Sequence, residues 1–206
     1  MPIPEDPDQR WEELRQHFFE ELREPTAYHE SGHFVLSIFT GDVSLDPREE
    51  EKIDLVPQRD RGDWAFTRLR QRAFLDNRRE ALGRAVHLCG GHAAQCRFDP
   101  SHEDGLEILI DEQLTGAERG DFSTAAEVLS GFFESDGIGI VVQETFQHAR
   151  RLVRDSAVWG AVEHVATGLL DLPPEETVIR GEELSSLKLD VLDRLSPARE
   201  RLDPTP

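Results

Sequence analysis

The stretch Thr26-Ala27-Tyr28-His29-Glu30-Ser31-Gly32-His33 decides how the rest of the chain is interpreted, because it contains the pattern H-E-x-x-H. In a helix, residues four apart share one face, so His29 and His33 can hold one zinc ion together. Glu30 lies beside them, where it can take a proton from a water that the metal activates. The motif therefore predicts a zinc site with Glu30 as the general base.

The flanking residues predict that the motif lies on an apolar helix. Pro25 suits a first helical turn, where its missing N–H has no partner to lose. Phe34-Val35-Leu36-Ser37-Ile38-Phe39 follows the motif, and Gly41 is typical of a helix C-cap. Two surface histidines on an amphipathic helix are the plain alternative. The apolar surroundings argue against it, because imidazoles that face a core need partners.

The charge of the chain excludes some classes of partner. The 206 residues include 23 Lys and Arg against 42 Asp and Glu, a formal net charge of −19. This balance repels nucleic-acid phosphates and anionic membrane surfaces, so we expect neither as a partner. No apolar run is long enough to span a membrane and no signal peptide is visible. Cys89 and Cys96 are too far apart on a helix to form a disulfide, which fits a cytoplasmic protein.

The periodicity of apolar residues is helical over most of the chain, which predicts a mainly α fold with at most a small β element. Ile53-Asp54-Leu55-Val56 is the one stretch that reads as a strand. A strand beside a metal site is suited to pair with an extended peptide. A packed loop segment with no ligand role is an equal alternative. Helices are expected over residues 10–23, 68–98, 106–114, 121–135 and 140–170, in addition to the motif helix, and a last short helix is expected within residues 175–195.

One helical zinc-metallopeptidase domain is expected over residues 10–195, between a loose N-terminal tail (1–9) and a C-terminal tail (196–206). Within it, the segment from Ala81 to Cys96 is rich in small residues, which suits close packing of helices. Cys89, His92 and Cys96 would share a helical face there. Structural zinc needs four ligands, so buried thiols and a partnered histidine are the favoured interpretation.

Several of these segments, in this order, resemble the protease domain of the FtsH-type ATP-dependent zinc metalloproteases. Residues 26–33 resemble the motif helix of that family, and Leu88-Cys89-Gly90-Gly91-His92-Ala93-Ala94 is similar to its L-x-G-G-R-A-A run. Gly116-Ala117, followed by Asp121 and Ala125, is similar to its G-A-x-x-D-x-x-x-A segment. Val178-Ile179-Arg180-Gly181-Glu182-Glu183-Leu184 resembles its closing helical segment.

The chain also departs from the family pattern. Three residues separate Ala117 from Asp121 where the family has two. Gln95 stands where the family has a carboxylate, and the excursion over residues 99–115 is longer. No G-x-x-x-x-G-K-[ST] motif is present in this sequence, so we expect a protease-type domain without the AAA ATPase module.

The resemblance implies that Asp121 is the third zinc ligand, beside His29 and His33. Without it, Asp121 would simply be an N-cap, and His102, Glu103 and Asp104 are alternative third ligands. The implied activity is ATP-independent hydrolysis of peptide bonds in peptides or unfolded proteins, by zinc-activated water with Glu30 as general base. A homo-oligomer or a separate partner protein is compatible with the family. The alternative is a zinc-containing binding or regulatory module that no longer cleaves.

Overall fold

The computed structural model describes residues 7–43, 45, 51–55, 66–69, 75–116, 119–173 and 177–206. Within these ranges the chain is mainly helical, as the sequence predicts. The helices are α1 (Pro7–His17), α2 (Arg23–Thr40), α3 (Arg78–Leu88), α4 (Gly90–Phe98), α5 (Leu106–Thr115), α6 (Asp121–Ser130), α7 (Ile138–Arg154), α8 (Ser156–Asp171) and α9 (Gly181–Arg199). A short π-helix (Phe18–Leu22) joins α1 to α2, and two short 3-10 helices cover Pro100–Glu103 and Ser135–Gly137.

The motif helix α2 lies at the centre of the molecule. Every side chain from Glu30 to Phe39 is buried, and α2 packs against α3, α4, α8 and α9. The helix ends as predicted at Gly41, whose φ of 72° is left-handed and whose N–H donates to Ile38 O. Helix α2 is therefore surrounded by the rest of the fold, which holds its histidines in fixed positions.

Helices α2 and α4 approach each other through glycines. A Cβ added to Gly32 would lie 2.3 Å from Gly90 O and 2.7 Å from the Cβ of Ala94. Only a residue without a side chain fits at such a backbone contact. The small residues of α4 thus serve the close packing that the sequence predicts, and they bring α4 directly against the motif.

Among the described residues, three short strands form an antiparallel sheet in the order β2-β1-β3. They are β1 (Lys52–Asp54), β2 (Phe66–Arg68) and β3 (Val178–Arg180). Ile53 pairs with Thr67 on one side and with Ile179 on the other. The predicted strand is confirmed at residues 53 and 54, while Val56 lies outside the described residues.

Two predicted helices need correction. Arg68 belongs to strand β2, and the described part of the helix expected over residues 68–98 is two helices, of which α3 begins at Arg78, where Asn77 Oδ1 accepts from Glu80 N. The helix expected over 140–170 is two helices, because the Asp155 carboxylate caps the start of α8 by accepting from Ala157 N at 2.8 Å. The last helix, expected within residues 175–195, is α9, which begins at Gly181 after strand β3 and is longer than predicted.

The helical part of the chain extends beyond the predicted limits of the domain. Helix α1 begins at Pro7, within the segment predicted as a tail, and proline is well tolerated at a first helical position. Helix α9 continues through Pro197 to Arg199, where Ala198 is fully buried and holds the last turn against the core. No helix in the described ranges has the length and apolar content needed to cross a bilayer.

Candidate metal centre

Two elements that are distant in sequence meet at the motif. On α2, His29 Nε2 and His33 Nε2 lie 3.0 Å apart, one helical turn from each other. Asp121, in the first turn of α6, places Oδ2 3.3 Å from His29 Nε2 and 3.2 Å from His33 Nε2. Within the described part of the chain, these three residues alone form a group of possible metal ligands.

The spacing of these three atoms fits a tetrahedral zinc ion. Zinc bonds to nitrogen and oxygen of roughly 2.0–2.1 Å place neighbouring ligand atoms about 3.3–3.4 Å apart. The three observed separations run from 3.0 to 3.3 Å. Two imidazoles and one carboxylate are also a donor set that zinc accepts, with a fourth position left for water or substrate. The residues present therefore fit the metal that the motif predicts.

Gly91 marks the space that such an ion needs. A Cβ built on Gly91 would lie 2.5 Å from both His29 Nε2 and His33 Nε2. A methyl group there would occupy the space between the two nitrogens. The backbone of α4 thus closes one side of the centre, and only glycine leaves that space open.

Asp121 is placed by the residues at the start of α6. Gly120 N–H donates to Ser123 Oγ at 2.9 Å, which closes the first turn. Gln113, on α5, accepts from Phe122 N at 2.9 Å, and its side chain is only 6% exposed. A Cβ on Gly120 would collide with the Gln113 amide at 2.3 Å. The register of α6, and with it the position of Asp121, depends on α5.

Each histidine has a hydrogen-bond partner on its other ring nitrogen. His33 Nδ1–H donates to His87 O at 3.0 Å, and His29 Nδ1–H donates to Gln95 Oε1 at 3.2 Å. Such partners fix the tautomer of the neutral imidazoles, in which Nε2 of each ring has its lone pair available for a metal. Gln95 stands where the family resemblance expects a carboxylate, and it is now seen to be the partner of His29.

A charged network lies behind His87. The His87 Nδ1 atom lies 3.1 Å from Asp42 Oδ2, and Arg84 binds both oxygens of the same carboxylate. Burial opposes ionisation of Asp42, but His87 and Arg84 outweigh it and lower its pKa. The network anchors the C-terminal half of α3, whose carbonyl at His87 orients His33.

The charges of the centre shift the pKa values of its members. Burial lowers the pKa of His33, but the Asp121 carboxylate, Glu30 and the His87 carbonyl outweigh burial and raise it to about 9. Burial likewise opposes ionisation of Asp121, yet the two imidazoles hold its pKa well below the usual value. Asp121 is therefore an ionised carboxylate, as a metal ligand must be.

Glu30 lies on the buried side of α2, with 6% of its surface exposed. It directly follows His29 on the helix, and its charge contributes to the raised pKa of His33. Its backbone carbonyl accepts from Thr67 Oγ1 at 3.3 Å, so strand β2 runs beside the motif helix at this point. The motif helix, at Glu30, and an edge strand of the sheet are thus neighbours.

None of the three alternative third ligands belongs to the group formed by His29, His33 and Asp121. Glu103 forms an ion pair with Arg150, and Asp104 ends a 3-10 turn. His102 Nε2 lies 3.2 Å from His92 Nδ1, and His92 Nε2 lies 3.5 Å from Asp121 Oδ2. His102 therefore reaches the centre only through His92.

The two cysteines do not assemble a second site with His92. Cys89 and Cys96 are buried free thiols whose pKa values burial raises, that of Cys96 to about 11. His92 is turned toward Asp121 and His102, and its ring stacks on Phe122 with centroids 4.9 Å apart. This is the arrangement of buried thiols and a partnered histidine that the sequence favours.

Sequence reasoning did not find the outer partners of the two histidines. Gln95, His87 and the Asp42–Arg84 pair act across elements, and nothing in their local pattern indicates what they contact. One signal was available: His92 and Gln95 are three residues apart on the small-residue helix, so they share a face. That face packs against the motif.

The comparisons with known proteins agree with this chemistry over part of the chain. No protein-family model matches the sequence. The chain is 27% identical over 126 residues to the ATP-dependent zinc metalloprotease FtsH of Oenococcus oeni, a match that covers 59% of this chain and 15% of the relative. FtsH of Lactiplantibacillus plantarum is 30% identical over 106 residues (52% of this chain, 12% of the relative), and that of Bacillus subtilis is 28% identical over 106 residues (52% and 14%).

The relatives are thus much longer than the matched region, which spans 12–15% of their length. The comparisons support a relation to zinc metalloproteases. Over about half its length, the chain is similar to FtsH-type zinc metalloproteases.

Proposed function

We propose that this chain is a zinc metallopeptidase that hydrolyses peptide bonds, with His29, His33 and Asp121 as ligands and Glu30 as the general base. The observation that carries the proposal is the meeting of His29, His33 and Asp121 Oδ2 at mutual separations of 3.0–3.3 Å beside the glutamate of the motif. The similarity to zinc metalloproteases supports the same reaction class.

The chain's own residues account for the proton transfers. Zinc, when bound, lowers the pKa of a water molecule and polarises the scissile carbonyl. Glu30 accepts the proton of the attacking water and returns it to the leaving amine. Asp121 and the two imidazoles hold the metal, while His87 O and Gln95 keep the imidazoles oriented. None of these steps consumes ATP.

The substrate we propose is an extended chain, such as a peptide or an unfolded protein segment. Strand β2 lies at an edge of the described sheet and contacts the motif helix through Thr67. An edge strand offers backbone groups with which an extended peptide can pair. A folded protein does not present its backbone in this form.

A second candidate function is a zinc-containing binding or regulatory module that keeps the site and no longer cleaves. The observation in its favour is Gln95, a neutral amide in contact with His29 where the family resemblance expects a carboxylate. A change in the outer hydrogen-bond partner of a ligating histidine weakens metal binding or activity, typically by about 10- to 100-fold.

A Glu30→Gln substitution separates the two functions. Glutamine is nearly the same size and cannot accept the proton, so the zinc-loaded variant should keep its zinc content and lose peptide cleavage. Cleavage of an unstructured, fluorescence-quenched peptide by zinc-loaded wild type, abolished by a chelator and by Glu30→Gln, supports the peptidase. Zinc-loaded wild type without cleavage supports the binding module, and full activity of Glu30→Gln contradicts the proposed mechanism.

A further inference from the structure

Helix α4 faces the metal centre with three residues that have different roles. Gly91 leaves the space between His29 Nε2 and His33 Nε2 open. His92 Nε2 lies 3.5 Å from Asp121 Oδ2, and Gln95 Oε1 lies 3.2 Å from His29 Nδ1. One helix thus contacts a ligand from α2 and the ligand from α6, which makes it the element that aligns the two halves of the centre.

The contact with Gln95 fixes the state of His29. When His29 Nε2 faces a metal, the proton of the neutral ring must be on Nδ1, and that proton is donated to Gln95 Oε1. An amide oxygen accepts this hydrogen bond without adding charge to the centre. A carboxylate in the same place would accept a stronger, charge-assisted hydrogen bond and would add one negative charge.

The contact with His92 belongs to a longer chain of side chains. His102 Nε2 lies 3.2 Å from His92 Nδ1, so a His102 N–H that donates there leaves the His92 N–H on Nε2, facing Asp121 Oδ2. His92 is 9% exposed, and its ring is nearly parallel to those of His102 and Phe122, with centroids 5.5 and 4.9 Å away. These contacts hold the ring in one orientation beside the carboxylate.

We propose that Gln95 and His92 are positioning residues of the metal centre, Gln95 for His29 and His92 for Asp121, and that the neutral Gln95 makes the centre hold zinc less tightly than a carboxylate would. The inference rests on the proposed function, because it requires that His29, His33 and Asp121 hold zinc. Partners of this kind change metal affinity by about 10- to 100-fold when they are altered.

The primary test is a zinc affinity measured by competition with a chromophoric chelator on the purified full chain. Gln95→Leu should weaken zinc binding about tenfold, and Gln95→Glu should tighten it about tenfold. Gln147→Glu, on the exposed face of α7, adds the same charge away from the centre and should leave the affinity unchanged. The assignment of Gln95 is overturned if both variants, Gln95→Glu and Gln95→Leu, bind zinc with the affinity of wild type.

The role of His92 is tested by a conservative rescue. His92→Leu removes the N–H beside Asp121 and should weaken zinc binding about tenfold, whereas His92→Gln keeps a side-chain N–H and should recover most of that loss. Equal affinities of both variants and wild type overturn the assignment of His92. Equal losses in both variants also overturn it, because they indicate that only the packing of the ring matters.

A spectroscopic measurement separates orientation from general loss of structure. In the zinc-loaded wild type, the His29 Nδ1 proton should give a slowly exchanging resonance in nitrogen-edited NMR of the imidazoles. That resonance should be lost or broadened in Gln95→Leu while the backbone amide spectrum stays folded. An unchanged His29 resonance in Gln95→Leu contradicts the proposal.

The failure of this inference can be told apart from the failure of the proposed function. If wild type binds zinc and cleaves peptides but the variants leave both affinity and the His29 resonance unchanged, only the inference fails. If wild type binds zinc without cleavage and the affinities shift as expected, the inference stands and the peptidase is rejected. A wild type that binds no zinc overturns both.

Discussion

The two sides of the candidate metal centre are built in different ways. On one side, His29, Glu30 and His33 belong to a single buried helix, and the helical repeat alone brings the two imidazoles together. On the other side, Asp121 comes from the first turn of α6, and α4 and α5 set its place. The first side is a local property of the sequence, and the second exists only when several helices have packed.

This difference predicts how each side responds to change. As long as a helix persists, residues four apart stay on the same face, so the relative position of His29 and His33 is kept. The position of Asp121 depends on contacts with neighbouring elements, which can shift by fractions of an ångström when a neighbour changes. We therefore expect the α2 side to tolerate changes in its surroundings better than the α6 side.

The largest effect is expected for Asp121→Ala, which removes the carboxylate that we propose as the third ligand. Loss of a direct ligand should reduce zinc affinity by more than the about 10- to 100-fold typical of an outer partner. The measurement is zinc content after dialysis, together with the competition titration. Asp111→Ala, on the exposed face of α5, removes the same charge and should leave zinc binding unchanged.

If Asp121→Ala retained zinc with wild-type affinity, the two histidines of α2 would suffice and the contrast between the sides would disappear. Asp121 would then be only a residue of the first helical turn, where a carboxylate is favourable without any metal.

The contrast also explains how much was predictable from the sequence. His29, Glu30 and His33 follow from spacing and from the apolar run after them, and the helix and its C-cap at Gly41 are where the sequence places them. Asp121 is predicted as a ligand only through the family resemblance, because no local pattern links it to His29. The structure brings these atoms together, while their role as zinc ligands stays a prediction.

What the sequence did not predict also depends mostly on contacts between elements that are distant in the chain. Strand β2 is short and is defined by its pairing with β1, so its own sequence gave no period-2 signal. Gln95 and His92 matter through side chains on other helices, which no window of sequence contains. The break at Asp155 is different, because Asp155 is a good N-cap and the stretch from 140 to 170 is long enough for two helices.

A smaller effect is expected for Gly91→Ala, which fills the space where the two sides meet. The added methyl group would lie 2.5 Å from both Nε2 atoms, so the imidazoles or α4 must move. Overpacking of this kind destabilises by about 1–3 kcal/mol, and zinc affinity should fall, though less than in Asp121→Ala. Chemical denaturation gives the free energy of unfolding, and the competition titration gives the affinity.

Gly160→Ala is the matched control for that variant. Gly160 lies inside α8, and a Cβ there would meet no atom within 4 Å. Replacing an interior helical glycine by alanine should stabilise by up to about 1 kcal/mol and leave zinc binding unchanged. A Gly91→Ala protein as stable as wild type and with wild-type zinc affinity would show that the close contact at the centre is not needed.

The smallest effect is expected for Gln113→Ala, which acts on Asp121 indirectly, through the neighbouring Phe122. The variant leaves the buried N–H of Phe122 without its acceptor, which should cost about 1–3 kcal/mol of stability. Because the first turn of α6 is also closed by Ser123, Asp121 should be loosened rather than lost, and zinc affinity should fall only a few-fold. Gln143→Ala, on the exposed face of α7, is the control for loss of a glutamine side chain. A loss of stability without any change in zinc affinity would mean that Asp121 is held by its own turn, so that the second side of the centre is as local as the first.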